Sequence, residues 1–123
     1  MIRNLIAVAA AATLAAVLSG TAWADVAAGK TIFETNCATC HGMTGKGDGP
    51  VGMALNPKPR DLSVGDFKFD TDKDGETGTD ADIKAVVQQG GAAFGGSALM
   101  APWVTLSDED IANVTAYIRS LKQ

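Results

Sequence analysis

Histidine is almost missing from this chain: 123 residues include one, together with two cysteines and one tyrosine. A structural zinc site built on cysteine needs four sulfur or nitrogen ligands, and two cysteines with one histidine fall one short. Long apolar runs are scarce as well. The uncharged run Leu5–Leu18 has 14 residues, whereas a bilayer-spanning helix needs about 20, so stable membrane insertion is not expected. Positive charge is the minority sign, with 10 Lys and Arg against 14 Asp and Glu and a net charge of −4. That balance argues against nucleic acid or an anionic membrane as the partner and is compatible with docking to a basic patch. No alternating strand pattern of useful length and no internal repeat is present, which leaves an all-α fold.

The scarce residues are not scattered. Cys37-Ala38-Thr39-Cys40-His41 holds both cysteines and the only histidine within five consecutive positions. A C-x-x-C pair can be a redox disulfide, but the βαβ context of such sites is missing. C-x-x-C-H is the pattern of c-type haem attachment. Two thiols add across the two vinyl groups of one haem, and the adjacent imidazole reaches the iron from the same turn of chain. The cofactor read from these residues is a single haem c, covalent through Cys37 and Cys40, with His41 as an iron ligand.

The opening residues agree with an exported protein. Met1-Ile2-Arg3-Asn4 is a charged tip, Leu5–Leu18 is an apolar stretch, and Ala22-Trp23-Ala24 offers a cleavage site. These are the parts of a secretory signal peptide. Residues 1–24 are therefore expected to be a leader, and 25–123 one small domain located in the periplasm. Removing Arg3 with the leader takes the net charge from −4 to −5. A domain this small buries a modest fraction of its surface, and a covalent haem would supply the missing core.

Capping motifs mark the helices. Asp25 can cap a helix over Val26–Asn36, which delivers Cys37. Thr79-Asp80-Ala81-Asp82 reads as a capping box opening a helix that runs to about Gln89 and stops at Gly90-Gly91, with Ile83, Val86 and Val87 as its apolar face. Ser107-Asp108-Glu109-Asp110 is a second capping box, with its acids on the positive helix end. Ile111, Val114, Tyr117, Ile118 and Leu121 continue from it as one apolar stripe. Between the first two helices, Gly42–Ser63 contains five glycines and three prolines. It is read as a long loop with a short turn near Val51–Leu55, and a long loop in a small domain usually has a function. Wrapping a planar cofactor is sufficient.

The second axial position decides between carrier and catalyst. No second histidine exists, Met43 is too close to His41 to reach the opposite face, and Met53 lies in the loop. Met100 is the best candidate, 59 residues after His41 and followed by Ala101-Pro102, which breaks regular structure. Its soft thioether suits haem iron and raises the reduction potential. Met53 is the alternative ligand, and a core filler is the ordinary role of a methionine.

The haem motif, Met100-Ala101-Pro102-Trp103 and the final helix from Leu106-Ser107 to Tyr117-Ile118 together resemble a class I bacterial cytochrome c. Gly45-Lys46-Gly47-Asp48-Gly49-Pro50 and Leu55-Asn56-Pro57-Lys58-Pro59-Arg60-Asp61-Leu62 are similar to the subgroup found as soluble carriers and as haem domains of oxidases and dehydrogenases. The resemblance implies three to five helices around one haem, with the first and last helices crossing at Gly29, Phe33 and Tyr117. It implies that Pro50 presents its carbonyl to Nδ1 of His41, and that Arg60 and Trp103 hydrogen-bond the haem propionates. The activity it implies is one-electron transfer with His41 and Met100 as axial ligands and no substrate transformed. Redox protein partners would dock transiently at the haem edge, and the expected state is a monomer. Two alternatives stand beside this: an electron-transfer subunit of a larger oxidase or dehydrogenase complex, and an open-site haem enzyme or gas sensor.

One stretch departs from that pattern. Asp70-Thr71-Asp72-Lys73-Asp74-Gly75 matches the opening of a calcium loop. The twelfth position is Ala81 where a bidentate Glu should stand, so Asp70, Asp72 and Asp74 are read as a solvated acidic turn and not as a calcium site.

Overall fold

The computed structural model describes residues 23–123, in which Trp23 and Ala24 are exposed coil. The rest of the expected leader lies outside the described residues. Four helices appear: α1 (Val26–Asn36), the single turn α2 (Ala38–His41), α3 (Asp80–Gln89) and α4 (Asp108–Ser120), with 3₁₀ turns at Gly52–Ala54, Leu62–Val64 and Gly91–Phe94. No strand occurs among the described residues, and none of their helices is long and apolar enough to cross a membrane.

The helix ends are held by the side chains that the capping motifs single out. The Asp25 carboxylate accepts the Ala28 N–H at 3.1 Å, while the Asp25 N–H donates to Oδ1 of Asn113 at 2.8 Å and ties the start of α1 to α4. Reciprocal capping boxes open α3 (Thr79 with Asp82) and α4 (Ser107 with Asp110). Each such cap contributes about 1 kcal/mol. At the other end of α4, Arg119 pairs with Asp80 and donates to the Gly78 carbonyl at 2.6 Å, joining the last helix to the start of α3.

The α1–α4 crossing organises the core. At Gly29 a Cβ would stand 1.9 Å from the Asn113 carbonyl oxygen, so the two backbones touch only because no side chain intervenes. One turn on, the rings of Phe33 and Tyr117 pack with centroids 5.3 Å apart and planes tilted by 59°. Phe33, Ile111, Val114 and Ile118 are buried there, joined by Ile83 and Val87 of α3. Fully burying each large side chain contributes roughly 1.5–3 kcal/mol. Val86, Tyr117 and Leu121, expected on the same apolar faces, are half-buried.

Four polar side chains are buried that hydrophobic periodicity does not point to: Ser63, Asp82, Asn113 and Thr115. Asp82 has the clearest role. Its Oδ1 accepts the N–H and hydroxyl of Thr71 at 2.6 and 2.8 Å, and its Oδ2 accepts the N–H and hydroxyl of Thr79, both at 2.8 Å. One carboxylate thus closes the Thr71–Thr79 excursion and caps α3. Chiefly the Thr71 N–H, then the Thr79 N–H and the two hydroxyls, pull its pKa from 3.8 down to about 2 against the opposing effect of burial. A depressed carboxyl stabilises the fold fully above its unfolded value and loses that contribution as pH falls through the folded value. The stabilisation by Asp82 is therefore expected to fade between about pH 4 and pH 2. In Asp82→Asn an NH₂ would face two of the four donors, so the melting temperature at pH 7 should drop by several degrees. Across the acid window the variant should lose less stability than the parent. A set of thermal melts at pH 7, 4 and 2 checks both expectations.

Candidate haem site

Between the α1–α4 core and the long loops lies a cavity of about 530 Å³. Small-molecule and cofactor sites span about 300–1,000 Å³. Phe33 and Ile118 form its inner wall, Ile83, Val86 and Val87 of α3 one flank, and Leu55, Pro57 and Leu62 the other. Met100 and Trp103 close it from the loop that precedes α4. The walls are largely apolar, and the few polar groups belong to residues with specific chemistry.

Cys37, Cys40 and His41 reach one edge of the cavity together. The chain arrives through α1, whose last turn hands the Cys37 N–H to the Phe33 carbonyl at 2.8 Å, and α2 begins at once with His41 N–H to Cys37 O at 2.9 Å. Cys37 is buried and Cys40 half-buried. Burial, and secondarily the neighbouring Cys40, push the Cys37 thiol up to about 11, so it is a neutral thiol at pH 7. Burial also lowers the pKa of the His41 imidazole, partly offset by its bond to a backbone carbonyl. A carbonyl only accepts, so Nδ1 carries the proton and Nε2 keeps its lone pair for a metal.

That carbonyl belongs to Arg60, whose oxygen lies 3.1 Å from Nδ1 of His41, and not to Pro50 as the resemblance implied. Backbone pairing explains the difference. The amides beside Pro50, on Gly49 and Val51, donate to the carbonyls of Cys40 and Thr39, which lays that segment over the outside of α2 and leaves Pro50 exposed. The Leu62 N–H donates to Gly45 O and the Gly47 N–H to His41 O, and these bonds draw the Pro59-Arg60 segment beside the imidazole. The signal lay in Pro57-Lys58-Pro59: prolines hold the backbone extended, and each lacks an N–H of its own. Arg60 lines the cavity, and the Nε of its exposed side chain donates to the Asp66 carbonyl at 2.9 Å. Trp103 is half-buried, lines the cavity and donates its backbone N–H to Val87 O at 2.9 Å.

Of the methionines among the described residues, Met100 alone lines the cavity. Met53 and Met43 are more than half exposed, at 56% and 59%, and both lie outside it. Two cysteines and a histidine adjacent in the chain, one methionine and many apolar residues line the same cavity, a set that fits a covalent haem. The residues that would hold it are Cys37, Cys40, His41 and Met100.

The acidic turn is occupied with its own backbone. Oxygens of Asp70, Asp72 and Asp74 lie within 4.8 Å of one another. Asp70 accepts the N–H groups of Asp74 and Gly75, Asp72 that of Asp74, and Asp74 that of Glu76. Ala81, at the twelfth position, lies in the first turn of α3 and offers no ligand.

Comparison with known proteins agrees with this geometry. The family model described as "Cytochrome c" matches residues 26–122. Cytochrome c-554(547) of Halothiobacillus neapolitanus is 37% identical over 101 residues, covering 80% of this chain and 98% of that protein. The cbb3-type cytochrome c oxidase subunit CcoP of Azospirillum brasilense is 30% identical over 94 residues, which cover 76% of this chain but 27% of the subunit. Among solved structures, a chain of the Kuenenia stuttgartiensis reducing HAO-like protein complex superposes with a TM-score of 0.67 at 34% identity, over 80% of this chain and 43% of that one. With the haem motif on one edge of the cavity, the helical architecture and a family match across nearly all described residues, this chain belongs to the cytochrome c family.

Proposed function

We propose that this protein is a one-electron carrier of the periplasm, with one haem joined through Cys37 and Cys40 and its iron held by His41 and Met100. The observation that carries the reading is the lining of the cavity. It takes the chain's only histidine and, of the described methionines, Met100 alone. A bound haem supplies an iron that cycles between Fe(II) and Fe(III) by one electron.

The side chains do the rest. His41 donates its Nδ1 proton to the Arg60 carbonyl, which fixes the ring and strengthens Nε2 as a donor. Met100 brings a soft sulfur that favours the reduced metal and raises the potential. Ile83, Val87 and Ile118 keep water from the site. As the resemblance implies, Arg60 and Trp103, which both line the cavity, would hydrogen-bond the haem carboxylates, Arg60 by exchanging the Asp66 partner that its guanidinium holds. With His41 and Met100 both holding the iron, no position would be left for a substrate, and the reading is a carrier that transforms none. Docking at the haem edge is transient, since a shuttle must also leave its partner, and the acidic surface favours a basic patch on that partner.

A second reading, a subunit of a larger electron-transfer complex, is favoured by similarity to part of an oxidase subunit and to a chain of a multiprotein complex. Purification from the native cell distinguishes them: a carrier elutes alone and a subunit elutes with its partners. Intact mass and a redox titration of the exported protein test the main reading. The mass of residues 25–123 plus one haem, with a single one-electron couple, is expected. Unmodified thiols, or a retained leader, would contradict it.

A further inference from the structure

The loop that carries Met100 is built onto the C-terminal end of α3. A helix leaves its last carbonyls without partners of its own. Here the Gly90 N–H bonds Val86 O at 2.8 Å, and the next carbonyl, Val87, accepts the N–H of Trp103 at 2.9 Å. Just past the helix, the Gly91 N–H donates to the carbonyl of Met100 at 2.9 Å, and the Gly91 carbonyl accepts the Gly96 N–H at 2.9 Å. Met100 is thus bracketed by its own carbonyl and by the amide three residues on, both bonded at the end of one helix.

This approach leaves no room for a side chain. On Gly90, where φ is +81°, a Cβ would stand 2.8 Å from the Met100 carbonyl oxygen and 3.0 Å from the Pro102 nitrogen. On Gly91 it would stand 2.5 Å from the Ser97 carbonyl oxygen and 3.2 Å from the Met100 Cβ. These neighbours are backbone atoms or the root of a side chain, so none can swing aside. Gly95 offers a contrast within the same loop: its φ is also +81°, but a Cβ there would meet nothing within 4 Å.

We propose that Gly91, supported by Gly90, is the positioning residue for Met100. The end of α3 holds the loop in register, so the thioether is delivered to the cavity by the fold and is not gathered there by the iron. The proposal rests on the His41 and Met100 reading above and adds the source of the ligand's placement. Such preorganisation removes the ordering that would otherwise oppose an axial bond. A methyl on Gly91 pushes the Met100 backbone away from α3 and withdraws the sulfur from its position.

The test uses haem-loaded wild type, Gly91→Ala, Gly95→Ala and Met100→Ala. Wild type and Gly95→Ala are expected to keep the weak near-infrared sulfur-to-iron band and to exclude carbon monoxide when reduced. Gly91→Ala is expected to keep its covalent haem, lose most of that band and bind carbon monoxide. In Met100→Ala the amides of Gly91 and Trp103 should stay protected from hydrogen exchange, because α3 and not the iron holds the loop. If Gly91→Ala yields no loaded protein, the exchange measurement decides by itself. A wild-type band in Gly91→Ala, or free exchange of both amides in Met100→Ala, overturns the proposal and leaves the His41 and Met100 reading standing. No band in the wild type overturns that reading and the proposal with it.

Discussion

The double variant Cys37→Ser/Cys40→Ser is expected to lose its cooperative fold. Without the thiols no thioether holds a cofactor in the cavity, and the lining residues that the core leaves uncovered, Leu55, Val86, Leu99 and Met100, face water. Covering apolar surface stabilises by about 25 cal/mol per Å², so a cavity of about 530 Å³ without its cofactor forgoes several such contributions. Domains are stable by only about 5–15 kcal/mol in total. The chain would collapse inward or unfold before carrying such a void, and the loop Gly42–Ser63 has little regular structure with which to resist. Thermal melts followed by circular dichroism should show a broad, shallow transition in place of a sharp one, with rapid proteolysis in that loop. A sharp melt near the wild-type temperature would mean that the helices alone hold the domain.

Gly29→Ala should be nearly as damaging, through a single methyl. The added Cβ would stand 1.9 Å from the Asn113 carbonyl oxygen, where ordinary contact begins at 3.4 Å, and 3.0 Å from the Tyr117 Cβ. Both neighbours are fixed by α4, so the helices must part by about an ångström or more along the crossing. Overpacking of this kind costs typically about 1–3 kcal/mol, and contact between two backbones puts Gly29 at the upper end. The consequence reaches the site because α1 leads directly into Cys37. Equilibrium denaturation should show a loss of about 3 kcal/mol in Gly29→Ala. The exposed neighbour Ala27, changed to Val, should stay within about 0.5 kcal/mol of wild type.

Much of this architecture is legible in the chain. A helix start is a local event, so Asp25, Thr79 with Asp82, and Ser107 with Asp110 mark α1, α3 and α4 at their observed first residues. Gly29 and the ring pair Phe33–Tyr117 stand where the resemblance puts the crossing. What escapes depends on contacts between distant segments. Asp82 reads as an ordinary capping acid, and only the return of Thr71 across the excursion makes it a buried four-donor hub. Asn113 looks like a polar helix position until the start of α1 arrives beside it. The carbonyl facing His41 is set by which loop amides pair with which carbonyls, so the resemblance pointed to Pro50 where folding places Arg60. Sequence position and the following proline favour Met100 over Met53, and Met53 is exposed and outside the cavity that Met100 lines.

The acidic turn shows the reverse case. The motif match singled out the three aspartates but not the backbone amides that they bond. Aspartates at alternate positions bond the amides two to five residues ahead, which is how such side chains stabilise tight turns without help from an ion.

The central claim, that His41 and Met100 together close the iron to outside ligands, is tested most directly by the visible and near-infrared spectra of purified wild type and Met100→Ala, oxidised and reduced, with and without carbon monoxide. The account predicts a sulfur-to-iron band in oxidised wild type and no carbon monoxide binding on reduction. It predicts loss of the band, rapid carbon monoxide binding and a lower reduction potential in Met100→Ala. A wild type that lacks the band and binds carbon monoxide at once would contradict the closed carrier and point to an open haem that senses or transforms a small molecule.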